Sequence, residues 1–404
     1  MAWTLPADLL DTLLALAQRS QQALQAALHA LGWLPDVHGQ PAWPWAQRLA
    51  AEVLAQEPLL ARQTAVLLAC VLGLGVLALL ALRWRWARWA LGPALVAAAV
   101  TAPWSALALL QTPAVPTSWH RSPTGFTVQS ITQGAHIYQQ QCVRCHGADG
   151  KGEGPDAATL PMWPPTLNGS LLWKRLEGEL FWRVRHGMQS AAGVQTMPAF
   201  ADLADEQVWQ VLDYLQAHAA GQLLRDTGAW AQPVRMPQAL VHCRNTGATS
   251  VRQLQGQRLR VVLGGTAAAL PPDDPRLVTL WVPPMPVAAG ANAGRAEAAD
   301  LAECTVQEPD ALPVLAWVLG QAADGDKGMQ GTQMLVDRKG WLRARALPGQ
   351  GGWSEDDLVC RASAPANAPT RLAAPALSAA DGLEALIRRM DAEPVRLRRG
   401  GFPH

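Results

Sequence analysis

The chain has 404 residues, with 33 Lys+Arg against 32 Asp+Glu and a formal net charge of +1. That balance supplies no concentrated basic face and gives no reason to expect nucleic acid as a partner. Charged residues reach only 16% and hydrophobic residues 50%, which excludes disorder over the whole length and places part of the chain in lipid. Eighteen Trp against four Phe and two Tyr suit membrane interfaces, where the ring is buried and its N–H stays wet. Six cysteines are too few for a disulfide scaffold.

Residues 1–60 read as an amphipathic helical region. Leu9, Leu10, Leu13 and Leu14, then Leu24, Ala27, Leu28 and Leu31, recur at helical spacing. Asp8 and Asp11 interrupt the run and no basic segment precedes it, so it is not a cleavable signal peptide. Such a helix lies on a membrane surface or packs on a partner. Residues 61–111 carry two predicted transmembrane helices. Residues 63–82 hold no charge, and at about 1.5 Å per residue they cover the ~30 Å hydrocarbon core. A second uncharged run covers 89–110; its Pro93 and Pro103 are tolerated in membrane helices. The intervening Arg83-Trp84-Arg85-Trp86-Ala87-Arg88 is the kind of short basic loop that stays cytoplasmic. Both ends of the chain are then expected on the periplasmic side of a bacterial inner membrane. A Pro-containing linker, 112–130, follows.

Next comes Cys142-Val143-Arg144-Cys145-His146. Cys-x-x-Cys-His is the covalent haem attachment pattern: two thiols add to the vinyl groups and the adjoining imidazole, His146, reaches the iron. A thioredoxin-like redox pair and half a zinc site are the competing readings. Zinc requires a second Cys or His pair nearby, and none follows at a fitting distance; a redox pair follows a buried strand, whereas a helix-like segment precedes this one. The glycines from Gly147 to Gly154 lack the Gly-Lys-Ser/Thr ending of a phosphate loop.

This stretch resembles the class I c-type cytochrome family over about residues 131–222, which implies an all-α domain around one covalently bound haem c. The resemblance implies that Gly134 and Tyr138 lie on a short helix packed near the last helix, and that Pro165, in Pro165-Thr166-Leu167, orients the imidazole of His146 through its carbonyl. Met197-Pro198 matches the family's distal thioether ligand, 51 residues after His146. Met162, Met188 and His186 are the alternatives. The segment from Asp205 to Leu215 completes the pattern, with Trp209 and Tyr214 expected as haem-packing or helix-crossing residues and His136 and His218 expected to face solvent. A His/Met iron is coordinatively full and suited to one-electron transfer. No small-molecule substrate is expected.

From about residue 230 strand-like runs appear at Leu259-Arg-Val-Val-Leu263, 277–282 and 334–337, the last entering a hairpin through Arg338-Lys339-Gly340 into Trp341. A helix is expected over 312–319. Residues 230–360 resemble a small α/β thioredoxin-like domain, but a degenerate one. No Cys-x-x-Cys follows Leu263, and no proline directly precedes Thr332. Cys243, Cys304 and Cys360 allow one disulfide and one free thiol, with the pairing open; His242-Cys243 is a conceivable copper ligand pair. Residues 361–404 read as a Pro/Ala-rich tail with one helix over 377–390 and a basic end.

The expectation is a membrane-anchored cytochrome relaying single electrons, with a terminal oxidase, a quinol-oxidising complex or a periplasmic oxidoreductase as redox partner. The alternative is a non-catalytic assembly or copper-handling factor whose C-terminal domain binds a client protein.

Overall fold

The computed structural model describes residues 7–50, 53, 58–101, 108, 110–230, 232–266, 270–284, 292–321, 326–350, 352–360 and 379–395. Over these the chain forms two compact units, 7–120 with 173–182, and 121–172 with 183–395.

The first unit opens with helix α1 (Ala7–Ala30) and the antiparallel hairpin of β1 (Asp36–Val37) and β2 (Gln40–Pro41). Strand β3 (Gln47–Leu49) precedes helices α2 (Pro58–Arg83) and α3 (Arg85–Thr101), and β4 (Gln111–Pro113) follows them. β3 and β4 pair antiparallel, Gln47 opposite Pro113 and Leu49 opposite Gln111. The chain therefore enters and leaves the helical pair at one place, where Ala50, Val53, Leu60 and Leu110 form an apolar cluster.

Among the described residues one helix, over Leu59–Arg83, is long and apolar enough to cross a membrane. The second expected span is helical only from Arg85 to Thr101, and residues 102–107 lie outside the described set. The expected arginine loop is also shorter. Only Trp84 separates the helices, because Arg88 joins α3 and its Nε donates to the Ala81 carbonyl (2.7 Å), satisfying an end-of-helix acceptor of α2.

The stretch read as a linker, 112–130, is folded rather than extended: Thr112, Thr117, Ser118, Trp119 and His120 are buried. Trp119 meets Trp43 edge to face at 6.1 Å, and Trp43 meets Trp45 at 4.7 Å. Beneath them the buried Arg48 Nε donates to the buried Glu179 carboxylate at 2.7 Å, with the guanidinium 5.7 Å from the Trp119 ring.

In the second unit, α4 (Val128–Gln141) and α7 (Asp205–Thr227) cross closely. Gly134 makes this approach possible, since a Cβ there would collide with the Gln210 carbonyl. Between them lie α5 (Val143–His146), α6 (Glu177–His186), which begins in the first unit, and the hairpin of β5 (Met188–Gln189) and β6 (Gln195–Met197).

The C-terminal part is larger than a minimal α/β domain. Seven strands, β7 (Leu240–Cys243), β8 (Gly247–Ser250), β9 (Leu259–Leu263), β10 (Val278–Val282), β11 (Cys304–Val306), β12 (Gln333–Val336) and β13 (Leu342–Ala346), form one mixed sheet in the order β13-β12-β9-β10-β11-β7-β8. β10 runs parallel to both β9 and β11, and the other pairs are antiparallel. The interior strand β9 is buried along its whole length, as expected of a strand covered on both faces. Helices α8 (Asn292–Leu301), α9 (Ala311–Val318) and α10 (Asp326–Met329) lie between β10 and β12 in sequence.

The helix assigned to the tail, α11 (Ala379–Ala392), belongs to this sheet. Its Leu383, Leu386, Ile387 and Met390 recur at helical spacing and share one apolar core with Leu277, Leu335, Ala344 and Leu358. Helix α9 also packs on α7 within the same unit. Tyr214 meets Trp317 edge to face at 5.3 Å, Trp230 Nε1 donates to the Val318 carbonyl (3.0 Å), and a Cβ on Gly221 would collide with the Trp317 carbonyl. Cys243 and Cys304, opposite each other on β7 and β11, form a disulfide, leaving Cys360 free and buried. Cys243 is thus no thiolate ligand, and the copper pair with His242 is overturned.

Candidate haem-binding site

The attachment motif occupies a helix terminus built by local hydrogen bonds. Thr127 caps α4, its hydroxyl accepting the Ser130 N–H at 3.1 Å. The helix ends where the Cys142 N–H donates to the Tyr138 carbonyl (2.9 Å), and α5 starts at once, with the Cys145 and His146 N–H groups donating to the Cys142 carbonyl at 3.1 and 2.9 Å. One turn therefore carries both cysteines and the histidine. The glycine-rich loop caps that turn rather than cradling phosphate: Gly152 and Gly154 N–H groups donate to the His146 and Cys145 carbonyls (2.9 and 3.1 Å). Tyr138, fully buried, donates its hydroxyl to the Gly147 carbonyl at 2.7 Å.

The loop is held against the next segment by the Leu167 N–H on the Gly150 carbonyl (2.7 Å) and by the Asn168 amide on the Asp149 carbonyl. This brings Pro165 alongside His146. Burial pulls the His146 pKa below the ordinary imidazole range, and the Pro165 carbonyl opposes that pull; the shift favours the neutral form, the one in which an imidazole can bind a metal. Its Nδ1 is buried without a hydrogen bond of full geometry. Burial, with Cys145 adding to it, pushes the Cys142 thiol up to about 12. A redox dithiol needs the opposite shift, toward the thiolate. Among the described residues no group of three or more His, Cys, Asp or Glu could hold a metal ion, so the zinc reading gains no further ligands.

Two unpaired thiols and a neutral imidazole on one turn, with the Pro165 carbonyl acting on the ring, fit a covalently attached haem. Cys142 and Cys145 would hold the macrocycle and His146 the iron, supplying a one-electron centre.

Met197 stands apart from that turn, at the end of β6. Its strand is placed by Gly187, which leaves α6 at positive φ (74°) with its N–H on the Arg183 carbonyl (2.9 Å) and admits no Cβ against the Met197 carbonyl. Arg185 secures the return, binding the Phe200, Ala201 and Leu203 carbonyls. Met188 sits directly opposite Met197 in register, so both thioethers share one face of the hairpin. His186 is exposed.

On α7, Trp209 is buried, and Tyr214 lies 5.2 Å from the Tyr138 ring and 5.3 Å from His218. His218, expected in solvent, is instead buried, and burial lowers its pKa to about 4. His136 is exposed as expected. The structure thus gathers Tyr138, Cys142, Cys145, His146 and Pro165, and joins Tyr214 to them through Tyr138.

Sequence reasoning missed Asp213. This carboxylate is buried on α7 and accepts the Ser130 hydroxyl (2.6 Å) and the Thr124 hydroxyl. The available signal was an acid set amid Val211, Leu212, Tyr214 and Leu215. Burial raises its pKa from 3.8 to about 6, outweighing both hydroxyls. Because the folded value lies above the unfolded one, the stability it contributes is complete below about pH 4 and is lost as pH rises to about 6. The loss is on the order of 2–3 kcal/mol. Denaturant titrations across pH 4–7 should show that slope in the parent and a flattened one in Asp213→Asn.

A family model described as "Cytochrome C oxidase, cbb3-type, subunit III" matches residues 129–215. The chain carries a c-type cytochrome domain. Such a domain binds haem c covalently and serves electron transfer, and it accounts for the spacing of the attachment turn. A chain of the solved "Kuenenia stuttgartiensis reducing HAO-like protein complex" is also similar, at 24% identity and a TM-score of 0.20, covering 26% of this chain and 50% of that one. This chain therefore spans about half the length of that relative. No curated protein matches.

Proposed function

We propose that this cytochrome is anchored in a bacterial inner membrane by α2 and α3, carries one haem on the periplasmic side ligated by His146 and Met197, and relays single electrons. Its redox partner is a terminal oxidase, a quinol-oxidising complex or a periplasmic oxidoreductase. The observation that carries the reading is the attachment turn, where Cys142, Cys145 and a neutral His146 are capped by a dedicated loop and flanked by the Pro165 carbonyl.

Three features support the setting. α2 exposes nearly all of its apolar length, which hydrocarbon covers favourably. β3 and β4 hold the two ends of the helical pair together, so both flanking segments emerge on one side. The Cys243–Cys304 disulfide suits an oxidising compartment. For the C-terminal part, the order β10-β9-β12-β13, a parallel pair continued by an antiparallel hairpin and followed by α11, supports a degenerate thioredoxin-like docking module. That module favours the assembly-factor alternative enough to be tested with the relay.

Expression in a host that attaches haem should give protein that keeps its haem on a denaturing gel. His146→Ala should lose stable holoprotein, and full haem retention would contradict its proximal role. Reduced holoprotein mixed with oxidase-containing membranes should reoxidise rapidly. Absence of reoxidation with normal respiration but lost copper delivery in a deletion strain would favour the assembly role.

A further inference from the structure

From residue 14 onward, helix α1 turns glutamines inward and exposes a stripe of apolar residues. On a helical projection Gln18, Gln21, Gln22, Gln25 and His29 share the face turned toward the rest of the first unit, together with Leu14 and Leu28. The opposite face carries Leu16, Ser20, Ala23, Leu24, Ala27 and Leu31, all exposed. Leu16 is 62%, Leu24 47% and Leu31 63% open, and Trp33 just beyond the helix is 71% open. Leu24, Ala27 and Leu31, whose spacing suits a membrane surface or a partner, thus point away from the rest of the unit.

This arrangement has a structural cause. The Gln21 side chain accepts the Leu49 N–H and donates to the Leu49 carbonyl, both at 2.9 Å. It completes the open edge of the two-stranded β3–β4 sheet, whose other partner is β4. Gln25 donates to the Pro41 carbonyl at 2.6 Å. Glutamines on the inward face thus tie α1 to the backbone of β3 and β2, while Leu16, Leu24 and Leu31 are left outward.

We propose that this outward stripe lies in the lipid interface of the membrane that α2 spans, as a surface-bound helix alongside the anchor. The inference rests on the anchor reading. The bilayer is the favoured occupant because the stripe and α2 belong to one compact unit. Gln21 grips the strand that ends nine residues before α2 begins, and Leu49 on that strand and Leu59 at the base of α2 are both exposed. The stripe bears no charge, Arg19 flanks it, and Trp33 closes it, the composition of an interfacial helix.

The test uses full-length holoprotein in nanodiscs of mixed zwitterionic and anionic lipid, in a Cys70→Ala background. Nitroxide labels are placed through Leu24→Cys or Leu31→Cys, with Leu72→Cys as the span reference and Asp36→Cys as the water reference. Collision with oxygen, which concentrates in hydrocarbon, is compared with collision with a water-soluble nickel chelate. The expected result is a ratio at positions 24 and 31 reversed from that at 36 and on the side of that at 72. A water-like ratio at 24 and 31 with a lipid-like ratio at 72 overturns the inference and leaves the anchor standing. Protection from both probes at 24 and 31 overturns it in favour of a second protein surface. A water-like ratio at 72 overturns the anchor and the inference together.

Discussion

Met197→Ala should leave haem attachment intact, abolish the sulfur-to-iron charge-transfer absorption of the oxidised protein, and lower the reduction potential on the order of 0.2 V, within the ~0.8 V range that axial ligands control. Loss of the thioether opens a coordination position, so the variant should also bind added imidazole or cyanide where the parent does not. The structure sharpens the control. Met188 stands opposite Met197 across the β5–β6 hairpin and shares its face, so Met188→Ala is the matched substitution on the same surface. It should leave spectrum and potential near those of the parent. If the effects fall on Met188→Ala instead, the distal assignment moves by one strand. If neither variant changes the absorption, His186 or another group is the ligand, although His186 is exposed. Pro198 alone favoured Met197 over Met188 in the sequence, and their juxtaposition in register follows from Gly187, which lets the backbone at Met197 approach the end of α6.

The largest expected effect on stability is at Arg48. Its guanidinium and the Glu179 carboxylate are both buried, joined at 2.7 Å, and remote in sequence. Arg48→Met removes one charge and leaves the other buried, with the Leu176 N–H at 3.4 Å. Breaking a buried pair in this way costs about 3–5 kcal/mol, whereas replacing both partners by apolar groups of similar volume is often neutral. Arg48→Met should therefore lower the unfolding midpoint of the first unit sharply, and Arg48→Met with Glu179→Leu should recover most of the loss. A double variant as unstable as the single one would show that the guanidinium matters through the Trp119 ring, 5.7 Å away, rather than through the ion pair.

The attachment chemistry was legible in the chain because it is local. Cys142, Cys145 and His146 fit one helical turn, and the hydrogen bonds that shape it span only a few residues. Gly134 was legible for a related reason: a close helix crossing needs a residue without a side chain, and helical spacing puts Tyr138 on the same face. The strand at Leu259–Leu263 and the helix near 312–319 also follow from local pattern, and both occur with boundaries within a residue.

What the chain alone left open depends on residues far apart along it. Periodicity shows that α1 has two faces but not which one is turned inward, because the backbone edge that attracts Gln21 belongs to β3 and exists only once β4 has paired with it. Composition made 112–130 a linker, whereas burial of Trp119 depends on Trp43 arriving from the other side of the helical pair. Three cysteines allowed three pairings, and the sheet register chose Cys243 with Cys304 by placing them opposite each other. Asp213 and His218 are polar residues whose surroundings come from α4 and the loop before it, so their burial and shifted pKa values arise only in the folded chain. Short-range geometry is written in residue order, but which of two faces loses its water is decided by the partner that covers it.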